Sequence, residues 1–245
     1  TARISAVSHA FVQGADLDIA GTLSVSSIAR SYAYADIASP EISVSGFNVT
    51  LLVTYAYAEG DFAAYVDSTG SSGAVNVGAL SIDNTYYAIS YAATGAAGGV
   101  GVSLVSIESN IAEASNNVSA YSAVKGSGLI SVAGSASVTT TGYTKATAEG
   151  RVRDFNIGAI TVAVNVIKAT LNTSQSAYVT MNGVLTVGGA LTIESEIVNS
   201  SEYGLASATV GGSSGSSGGA SISLVGIDVN EADSYTASVN NAYLG

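Results

Sequence analysis

The 245-residue chain has no cysteine and no tryptophan, one proline, one methionine, one histidine and only seven basic residues. Without cysteine there is no disulfide framework and no thiolate chemistry. A zinc site draws on several His or Cys ligands, so a single histidine leaves none to be expected. A Ser–His–Asp triad would have to be built on His9, which reads instead as a solvated turn residue. Seven Lys and Arg against 18 Asp and Glu give a net charge of −11. That balance argues against nucleic acid, which is bound through clustered bases, and against docking on an anionic membrane. Charged residues make up only 10% of the chain, against about 25% in an average soluble domain. Hydrophobic residues reach 47%, which excludes a disordered chain. The uncharged stretch from Asn84 to Ile107 alternates and is broken by Gly, Ser and Thr, so no membrane insertion is expected. The opening TARISAVSHAF has no basic region followed by an apolar core, so no signal peptide is read there.

What the chain does contain is a repeated alternation. From Ile160 to Ser195 it reads ITVAVNVIKATLNTSQSAYVTMNGVLTVGGALTIES, apolar at every second position and interrupted by Gly, Asn and Ser. That pattern predicts short half-buried strands. It recurs roughly every 54–60 residues. About four degenerate repeats follow, over 11–64, 65–120, 121–177 and 178–237, with partial repeats at both ends of the single domain 1–245. The Gly/Ser tract Gly211 to Gly219 lengthens the last one.

Strand-rich repeats with no helical period predict an all-β fold, a parallel β-solenoid and a right-handed β-helix, rather than a sandwich. Each repeat reads most simply as five or six short strands in two coils of about 28 residues, or three of about 19. With a step of ~4.8 Å per coil, nine or ten coils would form a rod of roughly 45 Å. Val, Ile, Leu and Ala are expected to stack in columns inside a narrow core. Gly21, Gly78, Gly134 and Gly189 recur at one place, where a tight turn or a positive φ is expected. Proline is confined to Pro40, because nearly every amide of a stacked coil must donate to the next. The scarcity of Lys leaves few of the usual protectors of strand edges.

The runs Ile160 to Ile167, Ala177-Tyr178-Val179 and Leu185 to Ile193 resemble the repeat regions of large bacterial surface adhesins of the filamentous-haemagglutinin and leukotoxin type. The resemblance covers most of the chain at the level of pattern. It implies a right-handed β-helical stalk outside the cell, serving adhesion or a surface layer, and it carries over no catalytic residue.

Three groups of residues are candidates for function. Val7, Phe11 and Val12 near one end and Val239, Tyr243 and Leu244 near the other are the expected assembly interface, through which copies of the chain join head to tail. Phe11, Tyr65, Tyr121 and Tyr178 recur at repeat starts, and Tyr32, Tyr86, Tyr143 and Tyr203 recur 21–25 residues later. They predict two aromatic columns, either packing along the stack or offering a surface to glycans or partners. Acidic groups at Asp16/Asp18, Glu59/Asp61, Glu194/Glu196 and Asp228/Glu231/Asp233 have the residue types of calcium ligands or glycosidase carboxylates. They do not align between repeats and read as solubilising charge. Arg151 and Arg153 flank Asp154, the one base–acid group fit for a polysaccharide lyase. The tracts Gly95 to Gly101 and Gly211 to Gly219 lack the Gly-Lys-Ser/Thr ending of a phosphate loop. Asn48, Asn117, Asn172 and Asn199 head formal N-glycosylation acceptors. The sequence thus points to a structural, non-enzymatic extracellular or cell-surface protein without cofactors, a filament subunit or adhesin stalk. A carbohydrate-binding or carbohydrate-cleaving β-helix is the alternative.

Overall fold

The structure, a computed structural model, describes residues 1–38, 41–70, 74–95, 99–151, 155–210 and 220–245. Every regular element among them is a strand: β1 (Ala2–Gln13), β2 (Leu17–Ala38), β3 (Glu41–Asp67), β4 (Ala74–Gly95), β5 (Gly99–Gly126), β6 (Leu129–Val132), β7 (Ala136–Arg151), β8 (Phe155–Met181), β9 (Val184–Val187), β10 (Leu191–Ile197), β11 (Leu205–Val210) and β12 (Ala220–Leu244). All pairings are parallel. One sheet runs β1-β3-β5-β8-β12, and the other holds β2, β4, β6/β7 and β9/β10/β11. The chain passes from sheet to sheet and rises one strand each time it returns. It is an all-β parallel solenoid.

The coil is larger than the sequence suggested. Ala2 pairs with Ala56, Ala56 with Ala114, Ala114 with Ala169 and Ala169 with Ser234, in steps of 54, 58, 55 and 65 residues. Each repeat is therefore one coil, not two or three. The five strands of the first sheet rise only ~19 Å at ~4.8 Å per step, not the 45 Å of nine or ten coils. The five or six short strands expected per repeat become two long sides, such as the 27 residues of β3 and the 22 of β4. The polar interruptions misled because they lie within strands and point into the core. Ser27, Asn84, Thr140 and Ser195 share one register position of the second sheet. Opposite them, in the first sheet, stand Ser8, Phe62, Ala120, Gln175 and Asn240. Ser8 Oγ meets Ser27 Oγ at 3.0 Å. Asn84 Nδ2 donates to the carbonyls of Phe62 (2.9 Å) and Tyr121 (3.2 Å). Thr140 Oγ1 donates to the Ser176 carbonyl at 2.8 Å, and Gln175 Nε2 to Ser195 Oγ at 3.1 Å. A polar spine thus crosses the core, one rung per coil, and each rung satisfies a buried donor across the gap between sheets.

On one side of this spine the core is aliphatic, around Val66, Val75, Leu80, Ile82, Val124, Ile130 and Val138. On the other it is nearly all alanine, with Ala33, Ala56, Ala92, Ala114, Ala148 and Ala169. Alanine lets the sheets approach, and Asn116 uses that proximity. Its Nδ2 donates to Ala88 O at 2.7 Å and to Lys145 O at 2.8 Å, so one side chain of the first sheet bridges two successive strands of the second.

The recurrent glycines sit at a corner where pairing lapses between Val77 and Leu80, Val132 and Ala136, and Val187 and Leu191. The positive-φ alternative does not hold there, since positive φ falls at Gly14, Gly70, Gly95, Gly126 and Gly204. Glycine is required at Gly78 and Gly134 because the coils touch backbone to backbone there, whereas a Cβ on Gly21 would meet nothing within 4 Å. A Cβ on Gly78 would collide with the Ala20 carbonyl oxygen, and one on Gly134 would lie 2.8 Å from the Gly78 carbonyl oxygen.

Inside and outside are exchanged over the N-terminal parts of β5 and β8. There the buried side chains are polar: Ser103, Ser106, Asn110, Thr161 and Asn165, with Asn110 Nδ2 donating to Asn165 Oδ1 at 2.9 Å. The alternation Ile160, Val162, Val164, Val166 lies on the opposite, outward face. The most regular aliphatic run in the sequence therefore lines the surface, not the core column expected of it.

Candidate assembly surfaces

Among the described strands, β1 and β12 form the two borders of the first sheet. Val7, Phe11, Val239, Tyr243 and Leu244 are exposed, at 71%, 54%, 54%, 47% and 68%. Val12 is partly buried and packs on the aliphatic cluster. The six predicted interface residues therefore fall into two sets of three on opposite borders.

The first aromatic column exists and is longer than predicted. Phe11 stacks on Tyr65 at 5.3 Å, Tyr65 on Tyr121 at 5.9 Å, Tyr121 on Tyr178 at 6.0 Å and Tyr178 on Tyr243 at 5.3 Å. One ring per coil runs from border to border. Tyr121 is out of register, because Ala123 holds the position between Tyr65 and Tyr178. Its ring reaches across to fill the gap that alanine leaves. Burial, followed by the neighbouring phenols, raises the pKa of Tyr121. Lys125 Nζ lies 4.2 Å from the Tyr65 ring centroid and 5.6 Å from that of Tyr121, a cation–π cap on the column, and 4.0 Å from Asp67.

The second column needs correction. Tyr86 is fully buried, under Gly142, where a Cβ would collide with its hydroxyl. Its OH bonds Gln175 Oε1 at 2.7 Å, and burial pushes the phenol well above its ordinary pKa. The outward ring is its neighbour Tyr87, stacked on Tyr143 at 4.6 Å, with Tyr203 edge-on to Tyr143 at 5.2 Å. Below Tyr87 the register holds Arg30, not Tyr32, and the guanidinium lies 5.4 Å from the ring centroid. Tyr32 pairs with Ile89 instead. The slip arose because Tyr86 and Tyr87 are adjacent, and the strand's period of two sends one inward and the other outward.

His9 lies within a strand rather than in a turn, with Nε2 3.3 Å from Asp61 Oδ2. Arg3 holds Glu59 at 2.7 Å. The pair Glu59/Asp61 is thus taken up in contacts between coils. Glu194 and Glu196 are exposed on β10, and Glu231 and Asp233 on β12. The side chain of Asp228, together with Arg153, Asp154, Pro40, residues 96–98 and the tract 211–219, lies outside what is described. Among the described residues no group of three His, Cys, Asp or Glu is placed to hold a metal. Asn172 Nδ2 donates to Asn117 Oδ1 at 3.1 Å, so two of the formal glycosylation acceptors bond each other across coils.

One cluster escaped the sequence reading. Arg151 grips Asp36 through both terminal guanidinium nitrogens, Nη1 and Nη2, at 2.7 and 3.0 Å. Tyr91 OH donates to Glu149 at 2.7 Å, and Tyr34 stacks on Tyr91 at 4.8 Å. Burial and Glu149 push the Tyr91 phenol up to about 12. These groups satisfy one another across three coils, as a staple does. Asp36 and Arg151 are 115 residues apart, and their meeting is invisible until the repeats are stacked two deep.

No family model, no curated protein and no solved structure matches the chain.

Proposed function

We propose that the protein is a structural element of the cell exterior, a filament subunit or adhesin stalk segment that works by stacking coil on coil. The observation that carries this reading is the ring column that runs from one border strand to the other. Its end members, Phe11 and Tyr243, are both exposed and both on the outward parity of their strands. With Tyr243 set opposite Phe11 of a second copy, Val239 meets Val7 and Leu244 meets Val12, and the ladder of hydrogen bonds and rings continues. The second sheet, with one rung fewer, is interrupted once at each such junction. Each added stacked pair contributes about 0.5–1.5 kcal/mol beyond area burial. The absence of cysteine and the small, weakly charged repeats suit an exported surface protein. Copies of the chain are the main partners in this reading, and surface glycans are further ligands for the outward tyrosines.

Polymerisation followed by sedimentation tests it. Val239→Pro and Val7→Lys each damage one border strand and are expected to abolish growth. Unchanged growth in both variants would reject head-to-tail stacking.

A further inference from the structure

We infer that the outward face of the N-terminal parts of β3, β5, β8 and β12 is a lateral interface that takes a second copy of the chain, sheet face to sheet face. It is carried by the outward face of the first sheet, not by the open hydrogen-bonding edges of β1 and β12. Phe47 and Leu51 are 64% and 62% exposed, Leu104 66%, Ile160 43%, and Val225 and Val229 51% and 50%. These are neighbours, since Phe47 pairs with Val105, Val105 with Ile160 and Ile160 with Val225. The wall is not a by-product of core formation, because the inward face behind it is polar and hydrogen-bonded through Asn110 and Asn165.

Area and charge select the occupant. Four strands at ~4.8 Å and ten residues at ~3.3 Å give about 600 Å² of wall. Two walls together would bury about 1,200 Å², the lower bound for a specific protein interface. The outward positions of β3 from Val44 to Val53, of β5 from Val102 to Ile111 and of β8 from Ile157 to Val166 carry no charge, and β12 brings one, the exposed Glu231, at the end of the wall beside Val166. Two copies can therefore meet there although each carries −11 overall. That same net charge opposes an anionic lipid surface. Two sheets meeting in this way pack ~10 Å apart with strands within about 30° of each other, an isologous contact that closes on itself.

Sedimentation velocity over a concentration series tests the inference, in a Val239→Lys background that removes axial growth. The background protein is expected to sediment as a dimer. Phe47→Glu or Ile160→Glu, on two different strands, would weaken it by at least about 100-fold through apposed like charges, with an unchanged β-sheet circular dichroism spectrum. Ile28→Glu, at an equally exposed aliphatic on the other sheet, should leave the dimer intact. A monomer up to about 100 µM, a dimer indifferent to both wall substitutions, or flotation of the monomer with phosphatidylcholine vesicles would each overturn the inference. Loss of filaments in the Val239→Lys protein with the dimer retained separates this contact from the axial one.

Discussion

Replacing Asn116 by aspartate tests the idea that a few inward amides hold the two sheets together. Asn116 is fully buried, and its one Nδ2 donates to two carbonyls at 2.7 and 2.8 Å on neighbouring strands. Asn116→Asp keeps the shape and replaces that donor by an oxygen aimed at two other oxygens. When protonated, the new carboxyl recovers one of the two hydrogen bonds, so the cost near pH 4 is about 1 kcal/mol. Burial raises its pKa by up to ~3–5 units from an unfolded value near 3.9. A raised native pKa means that the native state binds the proton more tightly. The penalty is therefore small below about pH 4 and grows as pH rises toward the native pKa. Three units between about pH 4 and pH 7 amount to roughly 4 kcal/mol, which lowers a urea midpoint by more than about 1 M. Urea titrations at pH 4 and pH 7, each set against the unsubstituted protein at the same pH, read this directly. A variant as stable as the parent at pH 7, or a penalty that grows on acidification, would refute the reasoning.

Four further outcomes are expected. Gly78→Ala drives a Cβ into the Ala20 carbonyl and should cost about 1–3 kcal/mol. Gly46→Ala meets nothing within 4 Å and should change stability by less than about 0.5 kcal/mol; thermal melts of the pair check both. Tyr86→Phe leaves the Gln175 amide oxygen without its 2.7 Å donor and should cost about 1–3 kcal/mol, read by urea unfolding. Burial acts to raise the Asp67 pKa, but the hydrogen bonds from Thr69 and the charge of Lys125 outweigh it, so the net shift is downward from 3.8. Its contribution is therefore full above about pH 4 and lost as pH falls through the depressed value, and the midpoint difference between parent and Asp67→Asn should shrink from pH 7 to pH 2.

The fold class was legible because period-two alternation and a long repeat survive in the plain sequence. Coil size was not, since an inward Asn84 or Thr140 looks like a strand break until the facing carbonyl that receives it is known. Aligning the repeats would have shown the column Ser27, Asn84, Thr140, Ser195 as one polar position, the signal that was available. The aromatic column from Phe11 to Tyr178 was readable because each ring faces outward at about one repeat spacing. Tyr86 and Tyr87 were not separable, because adjacency hides which of the two points inward. The outward turn of Ile160 to Val166 ran against the sense of hydrophobicity itself. Only the register, which puts Asn165 against Asn110 inside, reveals it.

Electron microscopy of the purified chain over a concentration series tests the account of axial stacking most directly. The account predicts filaments that lengthen with concentration and repeat every ~24 Å along the axis, five strands at ~4.8 Å. Isolated particles of single-chain mass or of lateral dimers, at every concentration, would contradict it.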